Sequence, residues 1–177
     1  GLANYYIHSP QYKVYFHIIG DFFNPGEREE YMSIIKENHL NPYVILHGRQ
    51  AGQMLDLLFE LCDFGIGSLG RHRSGITNIK TLKNREYAAR GIPFIYSEID
   101  EDFENMPYIM KIPANEEAVD IKQILNFYNQ LHITPLEIRN SIRHLSWNNQ
   151  MKKVLDEMQK PPVRGKSKAA VRSGPVL

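Results

Sequence analysis

The sequence predicts an α/β domain, a Rossmann-like parallel sheet with helices on both faces. Short apolar runs alternate with amphipathic stretches of helical period along the chain. The runs are apolar at consecutive positions, as expected of strands covered on both faces. Most of them end at glycine or serine, in a loop that leads to the next helix.

The elements follow in order. The opening residues Leu2, Tyr5, Tyr6 and Ile7 read as the last turns of a helix. A doubly wound sheet places a strand before such a helix, so the first strand is expected to be missing and the chain to be a fragment. Lys13 to Ile19 is a β-rich run ending at Gly20-Asp21. A helix is expected from Glu27 to His39, with Tyr31, Met32, Ile34 and Ile35 apolar and acids in its first turn. Asn41-Pro42 breaks it, and Tyr43 to His47 forms a second buried strand before Gly48. The next helix, from about Gly52 to Cys62, buries Leu55, Leu58, Phe59 and Cys62. A third strand, Phe64 to Leu69, leads into a loop of Gly, Arg, His and Ser. The helix from about Asn78 to Arg90 has Gly91 as its left-handed cap, and Pro93 opens the strand Phe94–Ser97. A fifth strand, Tyr108–Ile112, and helices at Glu116–Gln130, Pro135–Leu145 and Asn148–Met158 complete the pattern. Residues 1–160 form the expected domain and residues 161–177 a basic extended tail.

Composition narrows the class. Cys62 is the only cysteine, which excludes an internal disulfide or a cysteine-based zinc site, and no run is long enough to span a bilayer. No signal peptide is legible at the start, and a cytoplasmic setting is expected. Pro161 to Leu177 holds Arg164, Lys166, Lys168 and Arg172 and no acid. Without those four, 17 basic residues face 20 acidic ones, a balance that argues against a nucleic-acid-binding body. The tail reads as a solvated terminus; contact with an anionic membrane, at its inner face, is the sharper alternative.

Ligands of open α/β sheets bind beyond the carboxyl ends of the strands, which singles out the loops Gly20–Gly26, Gly48–Gln53, Ser68–Thr77 and Ser97–Asn105. A helix starting at Asn78, directly after such a loop, offers free backbone N–H groups to a diphosphate, and Gly75 lets the phosphate approach closely. Lys83 and Glu86, three residues apart, share a face: a cation for phosphate oxygens and a carboxylate for ribose hydroxyls, or an ordinary surface ion pair. Asp100-Glu101-Asp102 spells D-x-D, but with Glu98 and Glu104 around it the segment reads as a solvated acidic loop rather than a metal site. His72 reads as a solvated loop histidine, and Trp147 as packing the terminal helix. Neither a Walker A sequence nor a G-x-S-x-G elbow is present.

The stretch Thr81-Leu82-Lys83-Asn84-Arg85-Glu86-Tyr87-Ala88-Ala89-Arg90-Gly91-Ile92-Pro93 resembles the L-K-x-x-E-Y-x-A-x-G-x-P segment of retaining GT-B glycosyltransferases, the large family four group. Other landmarks stand in the family's order. Phe16 to Asp21 resembles "hIxGDG", with Phe22 where the second Gly belongs; Val44 to Gly48 resembles "VxFxG". Cys62 to Leu69 resembles "aDixixPS", and Ser146-Trp147 the C-terminal "SW" helix, so the likeness runs from Lys13 to Met158.

The resemblance implies the donor-binding C-terminal half of a GT-B fold. Its enzyme would be a hexosyl- or other glycosyltransferase of polysaccharide or glycoconjugate biosynthesis. Such an enzyme moves a sugar from a nucleotide diphosphate to a glycan or other acceptor without a metal or further cofactor. Glu86 would hold the donor ribose. Gly75, Ile76 and Thr77 would supply amides near the diphosphate, and Gly48, Arg49 and Gln50 would lie beside the base. Gly20 and Ser68 close the strand-end loops of the site. Asn78 stands where the family has the first Glu of its E-x-x-x-x-x-x-x-E motif. The acceptor site and usual catalytic neighbours belong to an N-terminal GT-B domain, the expected partner, so the isolated fragment is expected to be inactive. A nucleotide-sugar epimerase of the same fold, or a non-catalytic α/β interaction domain, remains the alternative.

Overall fold

The computed structural model describes residues 1–8 and 10–159, so the expected tail at 161–177 lies outside the described residues. These fall into two compact units that divide between Ile142 and Arg143.

The first unit is α/β with parallel pairing throughout. Helix α1 (Leu2–Ile7) precedes strand β1 (Phe16–Ile19), helix α2 (Pro25–Glu37), strand β2 (Val44–Gly48) and helix α3 (Gly52–Glu60). Strand β3 (Gly65–Ile66) is followed by a 3-10 turn over Arg71–Ser74 and helix α4 (Leu82–Arg90). Strands β4 (Phe94–Tyr96) and β5 (Ile109–Lys111) and helices α5 (Ile121–Asn129) and α6 (Pro135–Ser141) complete it.

The strands form two sheets. β1 pairs with β2, Phe16 opposite Val44 and Ile18 opposite Leu46. β3, β4 and β5 form the second sheet in that order, with Ile66 opposite Ile95 and Ile95 opposite Met110. In the doubly wound order 3-2-1-4-5-6 the first strand separates the second from the fourth. Taken as strands two to six of that order, the five strands divide between β1 and β3, with no hydrogen-bonded strand pair between the two groups among the described residues. The Tyr6 ring of helix α1 stacks on Tyr43 at 3.7 Å, just before β2, and the Tyr6 hydroxyl donates to the Val14 carbonyl. The helix also contacts α5.

The helices begin where side chains satisfy their free N–H groups. The Asn24 side-chain Oδ1 accepts from Glu27 N at 2.9 Å, with Pro25 opening α2. Thr134 and Glu137 form a reciprocal capping box at α6. Gly91 closes α4 at φ +78, and a Cβ there would meet the Pro135 backbone oxygen at 2.6 Å, so glycine is required twice over.

Several expectations are corrected. Helix α4 starts at Leu82, not Asn78, because Thr81 takes the cap position and Asn78 pairs with Ile99 as a strand-like bridge. Helix α5 starts only after Asp120, whose carboxylate accepts from Lys122 N; the preceding residues bend instead. β2, expected to be buried, holds no buried residue, because its sheet has only two strands. On α2 only Ile35 is buried, while Tyr31 and Ile34 are exposed. The core lies around β4: Phe94, Ile95, Tyr96, Phe103 and Tyr108 are wholly inaccessible.

The second unit carries a 3-10 turn, Arg143–Leu145, and helix α7 (Trp147–Met158), capped by the Ser146 hydroxyl. Trp147, expected to pack this helix, is 83% exposed. No helix among the described residues is long and apolar enough to cross a membrane.

Candidate functional site

The strand-end loops gather most of the residues singled out by the sequence, in three groups. The first lies beyond β1 and β2. Gly20 N donates to the Gly48 oxygen at 2.8 Å, and both glycines take positive φ, +139 and +63. They line a cleft of about 560 Å³ together with Asp21, Phe22, Asn24 and Arg28. Gln50 folds back, its side-chain amide donating to the His47 carbonyl at 2.7 Å, while Arg49 points into solvent as an exposed residue. Before these glycines on the two strands, the His17 and His47 rings stack, with Nδ1 and Nε2 2.9 Å apart. Burial, and secondarily His47, holds the His17 pKa below its ordinary value.

The second group lies beyond β3 and β4. The Ser68 carbonyl accepts from Ser97 N at 3.1 Å and from the Ser97 hydroxyl at 3.2 Å. Gly75, at φ +68, closes the 3-10 turn, and Ile76 N returns to the Arg71 carbonyl. The Thr77 carbonyl accepts from Ile99 N at 2.8 Å. The amides of Gly75, Ile76 and Thr77 therefore sit in a turn and an extended segment, not at the N-terminus of α4. The N-terminus of α4 follows Thr81 instead, whose hydroxyl accepts from Asn84 N.

Lys83 is exposed overall, yet crowding around its ammonium, and then the like charge of Arg71, lowers its pKa. Glu98, 3% exposed, accepts from Arg71 N at 2.7 Å through one oxygen, and its other oxygen is buried with no partner among the described residues. His72, expected to be a solvated loop residue, instead pairs with Glu116 at 2.9 Å while its Nδ1 is buried without a partner. Arg73 also binds Glu116, and with His72 it pulls that carboxyl down to about 2.

The third group lies on α4. Glu86 and Lys83 make no pair. Glu86 binds Arg90 one turn on, at 2.7 Å, and Arg90 reaches Asp56 of α3 at the same distance while covering the Phe59 ring at 4.1 Å. Positions three apart do share a helix face, but a guanidinium four residues on, braced by a second helix, wins the carboxylate.

The acidic segment after β4 is not a solvated loop. Asp100 is wholly buried and accepts from Asn84 Nδ2 at 3.1 Å and from Arg85 at 3.2 Å. Asp102 takes the other end of the same guanidinium. Glu104 accepts from the Tyr96 hydroxyl at 2.9 Å and from Lys111 at 2.6 Å, and these donors hold its pKa down against the burial that raises it. Asn84, Arg85 and Glu98 were not legible as partners, because nothing in a run of acids tells which member turns inward.

No family model, no curated protein and no solved structure matches this chain.

Proposed function

We propose that the chain is the nucleotide-sugar-binding domain of a glycosyltransferase, which transfers a sugar from a nucleotide diphosphate to an acceptor. The observation that carries the reading is the ordered set of GT-B landmarks on parallel strands, with Gly20, Gly48 and Ser68 each at a strand's carboxyl end. Such ends are where open α/β sheets bind ligands. Arg71 and Lys83 stand on the Ser68–Thr77 loop and the first turn of α4, so cations are available for a diphosphate, while Arg73 is held by Glu116. The domain would stabilise the charge developing on the leaving diphosphate, through these cations. Glu86 would receive the ribose hydroxyls once the nucleotide displaces Arg90 from it.

Calorimetric titration with uridine and guanosine diphosphates tests this. Saturable binding of one is expected, with Glu86→Ala weakening it by about tenfold or more, the worth of hydrogen bonds to a charged group. Binding indifferent to Glu86→Ala removes the donor-site assignment. A second reading, a non-catalytic α/β interaction domain, draws on one specific feature: Glu86 is already engaged by Arg90, and Arg90 by Asp56. It predicts no nucleotide binding even in Arg90→Ala, which releases the carboxylate.

A further inference from the structure

His72 and Arg73 are consecutive residues of the 3-10 turn after β3, and both close on one carboxylate. Glu116 Oε1 accepts from His72 Nε2 at 2.9 Å and from Arg73 Nε at 2.8 Å, and Glu116 Oε2 accepts from Arg73 Nη2. The turn that carries these donors is fixed from within. Glu98, 3% exposed, accepts from Arg71 N at 2.7 Å, and Gly75 N donates to the His72 carbonyl at 2.9 Å. The carboxylate comes from a different kind of segment. Ala114 to Glu117 bend between β5 and α5, and the Glu116 and Arg73 side chains are 61% and 70% exposed. An exposed ion pair contributes little and is readily exchanged. Two further cations stand beside this turn, Arg71 within it and Lys83 on α4, close enough for their like charges to lower the Lys83 pKa after crowding has done so. An anion between them relieves that repulsion.

We propose that His72 and Arg73 form an oxyanion seat, which Glu116 fills and which a phosphate group of a bound ligand takes over. A guanidinium fork fits two phosphate oxygens as it fits the two of a carboxylate, and a phosphate brings more charge to the four cationic residues. The loop after a parallel strand is also where ligands of such sheets enter. Glu116 is then a competitor built into the chain. Its carboxyl is held down to about 2 by Arg73 and His72, so it is ionised at any working pH and each phosphate must displace it. The identity of the ligand as a nucleotide diphosphate rests on the donor-binding reading; the seat itself does not.

The full chain is titrated calorimetrically with pyrophosphate, which carries the phosphate chemistry without base or sugar, and with uridine and guanosine diphosphates. Glu116→Gln should tighten pyrophosphate binding about two- to fivefold, the worth of the exposed pair it removes. Adding Arg73→Gln to that variant should then weaken binding about tenfold or more, the loss of charged hydrogen-bond donors. Glu117→Gln removes the same charge one residue on and should leave the affinity unchanged, since only Glu116 fills the seat. All three side chains are exposed, so far-ultraviolet circular dichroism should stay unchanged in every variant. Pyrophosphate that fails to bind the Glu116→Gln variant, or binds it no tighter than the unaltered chain, overturns the seat. An equal gain in Glu117→Gln also overturns it, because net charge alone then accounts for the effect. Pyrophosphate binding that follows these changes while neither nucleotide binds keeps the seat and removes the donor assignment. Nucleotide binding indifferent to Glu116→Gln and Arg73→Gln keeps the donor assignment and removes the seat.

Discussion

The two sheets of the first unit are built from similar apolar strands and end in opposite states. Every residue of β4 is buried, and no residue of β1 or β2 is. β4 has a strand on each side, and Phe94 meets the rings of Tyr87, Tyr96, Phe103 and Tyr108. β1 and β2 have one neighbour each, and Phe16 and Ile45 stay about a third exposed. Strand composition alone does not bury a strand; the number of neighbours does.

The largest expected effect separates the sheets directly. Phe94→Ala should cost about 3–5 kcal/mol, as a fully buried ring leaves a cavity, whereas Ile45→Ala should cost about 1 kcal/mol, having less burial to lose. Chemical denaturation of both variants measures the gap, and equal losses would erase the distinction. Next comes Asp100→Ala, expected to cost about 3 kcal/mol by stranding Arg85 and Asn84 at the edge of the second sheet. Asp100→Asn should recover part of that loss, since it still accepts one hydrogen bond.

Glycines sharpen the contrast at smaller scale. A Cβ on Gly67 would meet Asn84 Oδ1 at 2.7 Å and the Ile95 oxygen at 2.8 Å, so Gly67→Ala should cost about 1–3 kcal/mol by overpacking. Gly48 has open space and only its φ of +63 to lose, so Gly48→Ala should cost about 1 kcal/mol. A thermal melt of each variant ranks them, and the reverse order would mean the second sheet yields more readily than its packing implies.

The smallest effect is a pH dependence confined to the first sheet. The folded protein favours the neutral His17 ring, so its contribution is full above the ordinary value of about 6.5. It is lost as the pH falls through the lowered folded value. Protection of the β1 and β2 amides, corrected for the intrinsic exchange rate at each pH, should therefore fall below about pH 6.5 while that of β4 is unchanged, and His17→Phe should remove the difference. Equal loss of protection in both sheets would trace the effect to another group.

How far the site could be read from the sequence follows the same division. Gly20, Gly48 and Ser68 fall at strand ends as expected, since a strand and its terminating turn are local features. Lys83 and Glu86 were correctly placed on one helix but not as a pair, because Asp56 of α3 recruits Arg90 into the contest for Glu86. Asp100 and Glu98 read as solvated acids and are the most buried carboxylates in the core. Their partners stand far off in the chain, Asp100 fifteen and sixteen residues from Arg85 and Asn84, Glu98 twenty-seven from Arg71.

The sequence by itself determined the alternation of strands and helices, their parallel pairing and the cap at Gly91, because propensity and capping act within a few residues. It did not determine that the strands divide into two sheets, that α4 begins at Leu82, or which acids turn inward. Those depend on which surfaces meet, and desolvation of a carboxylate is decided by the atoms that surround it, whatever their distance along the chain.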